Sequence, residues 1–186
     1  MKNKWCVSVA FLFFLVGICI NACTQECNSS NNDRWSEEKI QKWYDDQDWL
    51  IGCNYIPATA INQIEMWSAD TFNPKQIDKE LSWAHNLGFN TLRVFLSSVV
   101  WKNDAKGMKK RMDEFLNICK KYSIRPMFVF FDDCWNAESA YGKQPEPKPG
   151  VHNSGWVQDP SCSLRKDTLT LYPFLQEYVK DIVRTY

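Results

Sequence analysis

Apolar residues gather in three short, nearly continuous runs, Leu50 to Tyr55, Thr91 to Leu96 and Pro126 to Phe131, and a stretch with helical spacing lies beyond each. The short runs predict buried strands; the periodic stretches predict amphipathic helices. Strands that alternate with helices imply a parallel sheet. Every strand then delivers its last residues to one common face, where ligands of such folds sit.

The first run is interrupted by Gly52, which predicts a strand closely approached by its neighbour's backbone. Its end and the long connection past Pro57 carry Asn54, Tyr55, Asn62, Glu65 and Trp67, with no helix expected before Asn73. A connection of that length is more often functional than merely connective. Asn73 and Pro74 then read as a side-chain cap followed by proline at the first helical position, and Gln76 is placed to complete a capping box. Ile77, Leu81, Ala84 and Leu87 form the stripe, and Gly88 closes it.

In the second run Leu92, Val94 and Leu96 share one face and Arg93 and Phe95 the other. In an open surface sheet Arg93 would face water; between helices on a parallel sheet it is a buried cation that needs a carboxylate partner. Met108, Met112, Phe115, Cys119 and Tyr122 make the stripe of the next helix, with Lys109, Lys110, Arg111, Lys120 and Lys121 on its wet side. The third run leads into Asp132, Asp133, Cys134, Trp135 and Asn136. Neighbouring residues of a strand point to opposite faces, so at most one of the two acids faces a ligand there, and the other caps the loop. Residues 137–166 are too rich in proline and glycine for a helix. His152 and Trp156 are the ligand candidates within that loop. Leu171, Phe174, Leu175, Tyr178, Val179 and Ile182 mark a third helix, with Pro173 in its first turn.

Ahead of these units, Trp35 to Tyr44 suits a short surface helix capped by Ser36. Met1 to Ala22 reads as a secretory signal: Lys2 and Lys4 precede the apolar run Val7 to Ile20, which is shorter than the about 20 residues of a membrane span. An uncleaved anchor is the other reading of the same segment. Ile20-Asn21-Ala22-Cys23 looks like a bacterial lipoprotein box, with Cys23 as the lipidated residue. Ordinary cleavage after Ala22, with Cys23 a plain cysteine, is the alternative. Residues 23–34 form a polar tether. The expected organisation is therefore 1–22 signal, 23–34 tether and 35–186 folded domain, on an exported protein of the outer membrane or cell surface, or alternatively a periplasmic or secreted one.

Composition narrows the chemistry. Lys plus Arg and Asp plus Glu each total 22, so no net field favours nucleic acid or an anionic surface. Of the eight cysteines, Cys27, Cys53, Cys119, Cys134 and Cys162 lie beyond the signal and lipid positions, and none forms a Cys-x-x-Cys pair. No metal and no cofactor is therefore expected. Cys119 reads as a buried thiol. With two histidines, no Gly-x-Ser-x-Gly elbow and no Gly-rich phosphate loop, neither a serine hydrolase nor a nucleotide site has support.

The chain has nine Trp, more than an ordinary core uses, and Trp67, Trp101, Trp135 and Trp156 fall at or beyond strand ends beside Asn54, Tyr55, Asn62, Asn136 and Asp133. Flat rings meet the C–H faces of sugars, and amides and carboxylates meet their hydroxyls. Two or three of these Trp are expected to be ordinary core.

Gly52-Cys53-Asn54-Tyr55, the stretch Leu87 to Val94 and the stretch Met127 to Trp135 together resemble the first half of a retaining glycoside hydrolase (β/α)₈ barrel. The resemblance is to the cellulase-like group around glycoside hydrolase family 5, including Bacteroides-type lipoproteins, and covers roughly Trp49 to Tyr186. It implies a partial TIM barrel of three βα units acting on a β-linked polysaccharide, as in endoglucanases, mannanases and xylanases. It further implies that Arg93 orients the nucleophile, and that Asn54 and the polar residues of the third strand help bind sugar. Tyr55, Trp67, Asp133, Trp135 and Trp156 complete the expected substrate-binding set.

In that family the acid/base Glu ends strand four, within an Asn-Glu-Pro sequence, and the nucleophilic Glu ends strand seven. A full barrel takes about 250 residues, and retention needs two carboxyl groups about 5 Å apart. The expectation is a truncated chain without either catalytic Glu, completed by a second polypeptide or unstable alone. A non-catalytic glycan-binding lipoprotein and an inactive remnant are the competing readings.

Overall fold

The computed structural model describes residues 34–134 and 136–186. The signal, Cys23, Cys27 and nearly all of the tether, and also Trp135, lie outside the described residues. The described residues divide between two units, 34–48 in the first and Trp49–Tyr186, a compact one, in the second.

In the first unit, helix α1 (Glu37–Asp45) begins where Ser36 accepts the Lys39 N–H at 3.3 Å. That is the expected cap, satisfying one of the unpaired first-turn donors. Lys39 Nζ stands 4.1 Å from the Trp35 ring, and Lys42 pairs with Asp46 one turn on at 2.8 Å. None of the helix residues is buried.

The second unit is built on three parallel strands, β1 (Gly52–Asn54), β2 (Thr91–Phe95) and β3 (Arg125–Val129), in the order β1-β2-β3. Gly52 pairs with Thr91 and Thr91 with Arg125, so the strands start in register. β1 is shorter than the apolar run around it, and β3 begins one residue earlier than its run. At Gly52 a Cβ would stand 2.0 Å from the Thr91 carbonyl oxygen, so only glycine allows this approach.

Helices follow the strands as the pattern predicts. After α2 (Gln63–Trp67) comes α3 (Pro74–Asn86), where Asn73 accepts the Gln76 N–H at 3.0 Å. The capping box is only half made, because the Gln76 side chain donates to Glu80 at 2.7 Å. Ile77 and Leu81 are buried, but Leu87, expected to continue the stripe, is 75% exposed beyond the helix end. Gly88, at φ +86°, takes the left-handed conformation that ends a helix cheaply.

Helix α4 (Ser98–Lys121) begins earlier than its apolar stripe suggests and breaks at Asp104, where φ is −152° and ψ is 59°. There the Asp104 carboxylate accepts the Gly107 N–H at 3.0 Å and pairs with Arg111 at 2.9 Å, acting as a cap inside the helix. Arg111, placed by spacing on the wet side, instead donates through Nε to the Trp67 carbonyl at 2.6 Å. Met108, Met112, Phe115 and Cys119 are buried as the period predicts.

Residues 137–166 hold one short helix, α5 (Cys162–Arg165), despite their breakers. Helix α6 (Thr168–Thr185) starts at an Asp167 cap, which places Pro173 past the first turn and inside the helix. Leu171, Tyr178 and Ile182 face the core. Among the described residues no helix is long and apolar enough to cross a membrane.

The core lies on one side of the sheet. Leu92 and Val94 are buried against Trp67, Ile77, Leu81 and Phe115, with Phe128 of β3 packed beside them. The opposite face carries Arg93 and its register partner Met127, which is 53% exposed. Arg93 is therefore no buried cation in this structure. The helices of this unit cover the Leu92 and Val94 face and leave the Arg93 face open.

Candidate functional site

The strand ends deliver Asn54 from β1 and Phe95 from β2 to a pocket that Asp132, just past β3, and Trp156, from the long loop, complete. Its free volume is about 70 Å³. That is far below the roughly 300–1,000 Å³ of pockets that enclose a ligand, so it can receive only an edge of a larger molecule.

Arg93 Nη1 donates to Asn54 Oδ1 at 3.2 Å, and its guanidinium stands 4.4 Å from the centre of the Phe95 ring. The amide and the aromatic face together hold the cation at the strand ends. The Phe95 ring in turn lies 6.3 Å from Trp156, at 56° between planes. Asp132 is partly buried, which raises its carboxyl above the usual range. A hydrogen bond with Cys134, the Asp133 N–H and the Arg93 charge oppose that rise without cancelling it.

The loop bearing Trp156 is fixed by side chains distant in sequence. Asn62 Nδ2 donates to the Gly155 carbonyl at 3.0 Å, and Gln63 Nε2 to the Val157 carbonyl at 2.9 Å. Asn136 Nδ2 donates to the Trp156 carbonyl itself at 2.8 Å. Asn62 also caps α2, accepting the Ile64 N–H at 3.0 Å, and meets Gln144 Oε1 at 3.0 Å. The helix inside the supposed open connection is therefore the anchor of the site loop.

Several residues singled out from the sequence stand elsewhere. Trp67 is 0% exposed, donates Nε1–H to the Phe95 carbonyl at 2.7 Å and packs edge-on against Phe115 and Phe128. It is a core residue with no face to offer a sugar. Tyr55 contributes to the pocket lining, but its ring stacks on Phe115 and its hydroxyl donates to Glu80 at 2.8 Å. Burial first, then that bond and the Glu80 charge, raises its hydroxyl pKa well above the ordinary value.

Asp133 is not in the pocket. Its side chain is 75% exposed and pairs with Arg165 at 3.0 Å. Trp101 lies between helices, donating to Asp181 at 2.7 Å and packing on Tyr178 and Phe174. Asn62 and Glu65 are buried, Glu65 accepting the Ile61 N–H at 2.9 Å, and His152 is exposed. Of the expected substrate set, Asn54, Tyr55, Arg93 and Trp156 come together at the strand ends, and Trp135 lies outside the described residues.

Sequence reasoning missed Phe95 and Gln63 as lining residues and assigned Asp133 where Asp132 stands. The alternation of β3 gave no choice between the acids, because the chain leaves the strand at Val129. Asp132 is oriented instead by an antiparallel bridge to Asp159, a contact with no local signature. Among the described residues no cluster of three His, Cys, Asp or Glu side chains is placed to hold a metal ion. Compared with protein-family models, curated proteins and solved structures, the chain matches none.

Proposed function

We propose that this chain supplies the strand-end part of a carbohydrate site in a (β/α)-barrel glycoside hydrolase of the family 5-like kind, acting on a β-linked polysaccharide. The observation that carries this reading is the convergence of Asn54, Arg93, Phe95, Asp132 and Trp156 at the carboxyl ends of three parallel strands. Trp156 offers a flat surface to a sugar ring, while Asn54, Arg93 and Asp132 offer donors and acceptors to its hydroxyls. The open Arg93 and Met127 face of the sheet is the surface that further βα units, on this or a complementing polypeptide, would cover.

The test is isothermal titration of the full chain with cello-, xylo- and manno-oligosaccharides, repeated with Trp156→Ala and Arg93→Ala. Binding of one series that Trp156→Ala abolishes supports the reading; no binding of any series ends it.

A second reading, glycan binding without hydrolysis, is favoured by one feature. Asp132 is the single carboxylate in the pocket lining, and its neighbour Asp159 is 1% exposed. A retaining glycosidase needs two carboxyl groups about 5 Å apart at the bond it cleaves. Release of reducing ends from a bound oligosaccharide by this chain alone would exclude that second reading. Export and lipidation at Cys23 belong to the same proposal, and Cys23→Ala would then move the protein from the membrane fraction to the soluble one.

A further inference from the structure

The strand-end pocket is lined in part by a buried amide with one end unused. Gln63 is 4% exposed, and its Nε2 donates to the Val157 carbonyl at 2.9 Å. A carbonyl can only accept, so that bond fixes which end of the amide is which and leaves Oε1 as the other. Among the described residues Oε1 has no hydrogen-bond partner, and it is not sealed from solvent. An open acceptor on a residue this buried, in the wall of a pocket, points to a ligand group that donates.

The rest of the lining limits what that group is. Ile56, Met66 and Trp156 make apolar walls, Asp132 adds a second acceptor, and among the described residues no cation lines the pocket. The free volume of about 70 Å³ has room for about two groups of water size, each about 30 Å³, whereas one six-membered ring takes about 150 Å³. One apolar carbon bearing one hydroxyl meets both limits.

We propose that the pocket receives the hydroxymethyl arm of a hexose, its CH₂ against Met66 and Trp156 and its O–H donating to Gln63 Oε1, so that the chain selects hexose-built β-glycans over xylan. This rests on the carbohydrate reading of the strand ends and narrows it. A pentose carries hydrogen in place of that arm and leaves the acceptor and the apolar walls unmet. A uronic acid places a carboxylate there, which would face two acceptors and no cation.

The experiment is isothermal titration of the full chain with hexamers that differ only in that arm or its sugar: cellohexaose, mannohexaose, xylohexaose, and the C6-carboxylate counterparts of the first two. The better of the two hexose hexamers should bind at least about tenfold more tightly than xylohexaose, the combined effect of one hydrogen bond and one buried CH₂. Each carboxylate hexamer should bind more weakly than its parent. Gln63→Met also frees the loop that carries Trp156, so the quantity read from it is the ratio of hexose to xylose affinity, which should fall at least about threefold with the lost hydrogen bond. Xylohexaose binding as tightly as the hexose hexamers, a carboxylate hexamer binding more tightly than its parent, or an unchanged ratio in Gln63→Met would each overturn this proposal and leave the carbohydrate reading standing. Binding of none of the hexamers would end that reading, and this proposal with it.

Discussion

Asp132 and Asp159 exchange two backbone hydrogen bonds: the Asp132 N–H donates to the Asp159 carbonyl at 2.8 Å, and the Asp159 N–H to the Asp132 carbonyl at 2.9 Å. One lines the open pocket; the other is sealed beneath it. The Asp159 carboxylate accepts the Ser98 N–H at 2.7 Å and the Ser98 hydroxyl, so it fastens the strand-end loop to the first turn of α4. The position of the pocket carboxylate therefore depends on a buried one.

Burial pushes the Asp159 carboxyl up to about 6, against the pull of its hydrogen bonds from Ser98 and Ser97 and with a further push from the Asp132 charge. The folded chain then holds this proton more tightly than the unfolded chain, whose value is near 3.8. The resulting contribution to stability is complete below about pH 4 and is lost as the pH rises through about 6, an effect on the order of 3 kcal/mol. Asp159→Asn should remove it. Urea midpoints at pH 4, 5, 6 and 7 should fall with rising pH more steeply in the natural chain than in the variant; parallel slopes would count against this assignment.

Asn62 joins three roles in one buried side chain, capping α2, meeting Gln144 and holding the Gly155 carbonyl. Removing a cap costs about 1 kcal/mol, and each stranded buried partner adds about 1–3 kcal/mol. Asn62→Ala should therefore destabilise the chain by about 3–7 kcal/mol on those figures. Amide exchange should rise around residues 155–157 before the sheet is affected, and uniform protection across that loop would disprove its anchoring by Asn62.

Two of the three tryptophans expected to bind sugar, Trp67 and Trp156, should separate cleanly. Trp67→Ala empties a core site and should cost about 3–5 kcal/mol. Trp156→Ala, at a partly exposed position, should change the denaturation midpoint little and remove oligosaccharide binding. Denaturant melts and titrations on both variants check the pair, and a large stability loss in Trp156→Ala would recast that ring as core.

Tyr178 is 0% exposed, and its hydroxyl has no hydrogen-bond partner. Burial first, and the Asp159 charge second, raises its pKa far above the ordinary value, so it stays protonated. Because an unpaired buried hydroxyl is costly, Tyr178→Phe should stabilise the protein by about 1 kcal/mol. Differential scanning calorimetry reads this as a higher midpoint; a lower one would mean that the hydroxyl has a partner, such as bound water.

The alternation of strand and helix, the Asn73 cap with Pro74, the left-handed Gly88, the close approach at Gly52 and the buried thiol of Cys119 were all legible along the chain. Each is decided within a few residues, by periodicity, by backbone freedom or by one capping side chain. The helix at Gln63–Trp67 escaped because its start is a buried asparagine whose other partners lie 82 and 93 residues away.

The membership of the pocket was settled only by the tertiary structure. Trp67 and Trp156 are the same residue type in similarly polar surroundings, yet one is enclosed by Phe115 and Phe128 and the other is held over Phe95 by a loop tied to α2. Asp132 was distinguished from Asp133 by its bridge to Asp159, and Arg93 was left exposed by which face of the sheet the helices of the same unit cover. Local sequence sets which way a strand's side chains alternate; what stands opposite each of them depends on where distant segments pack.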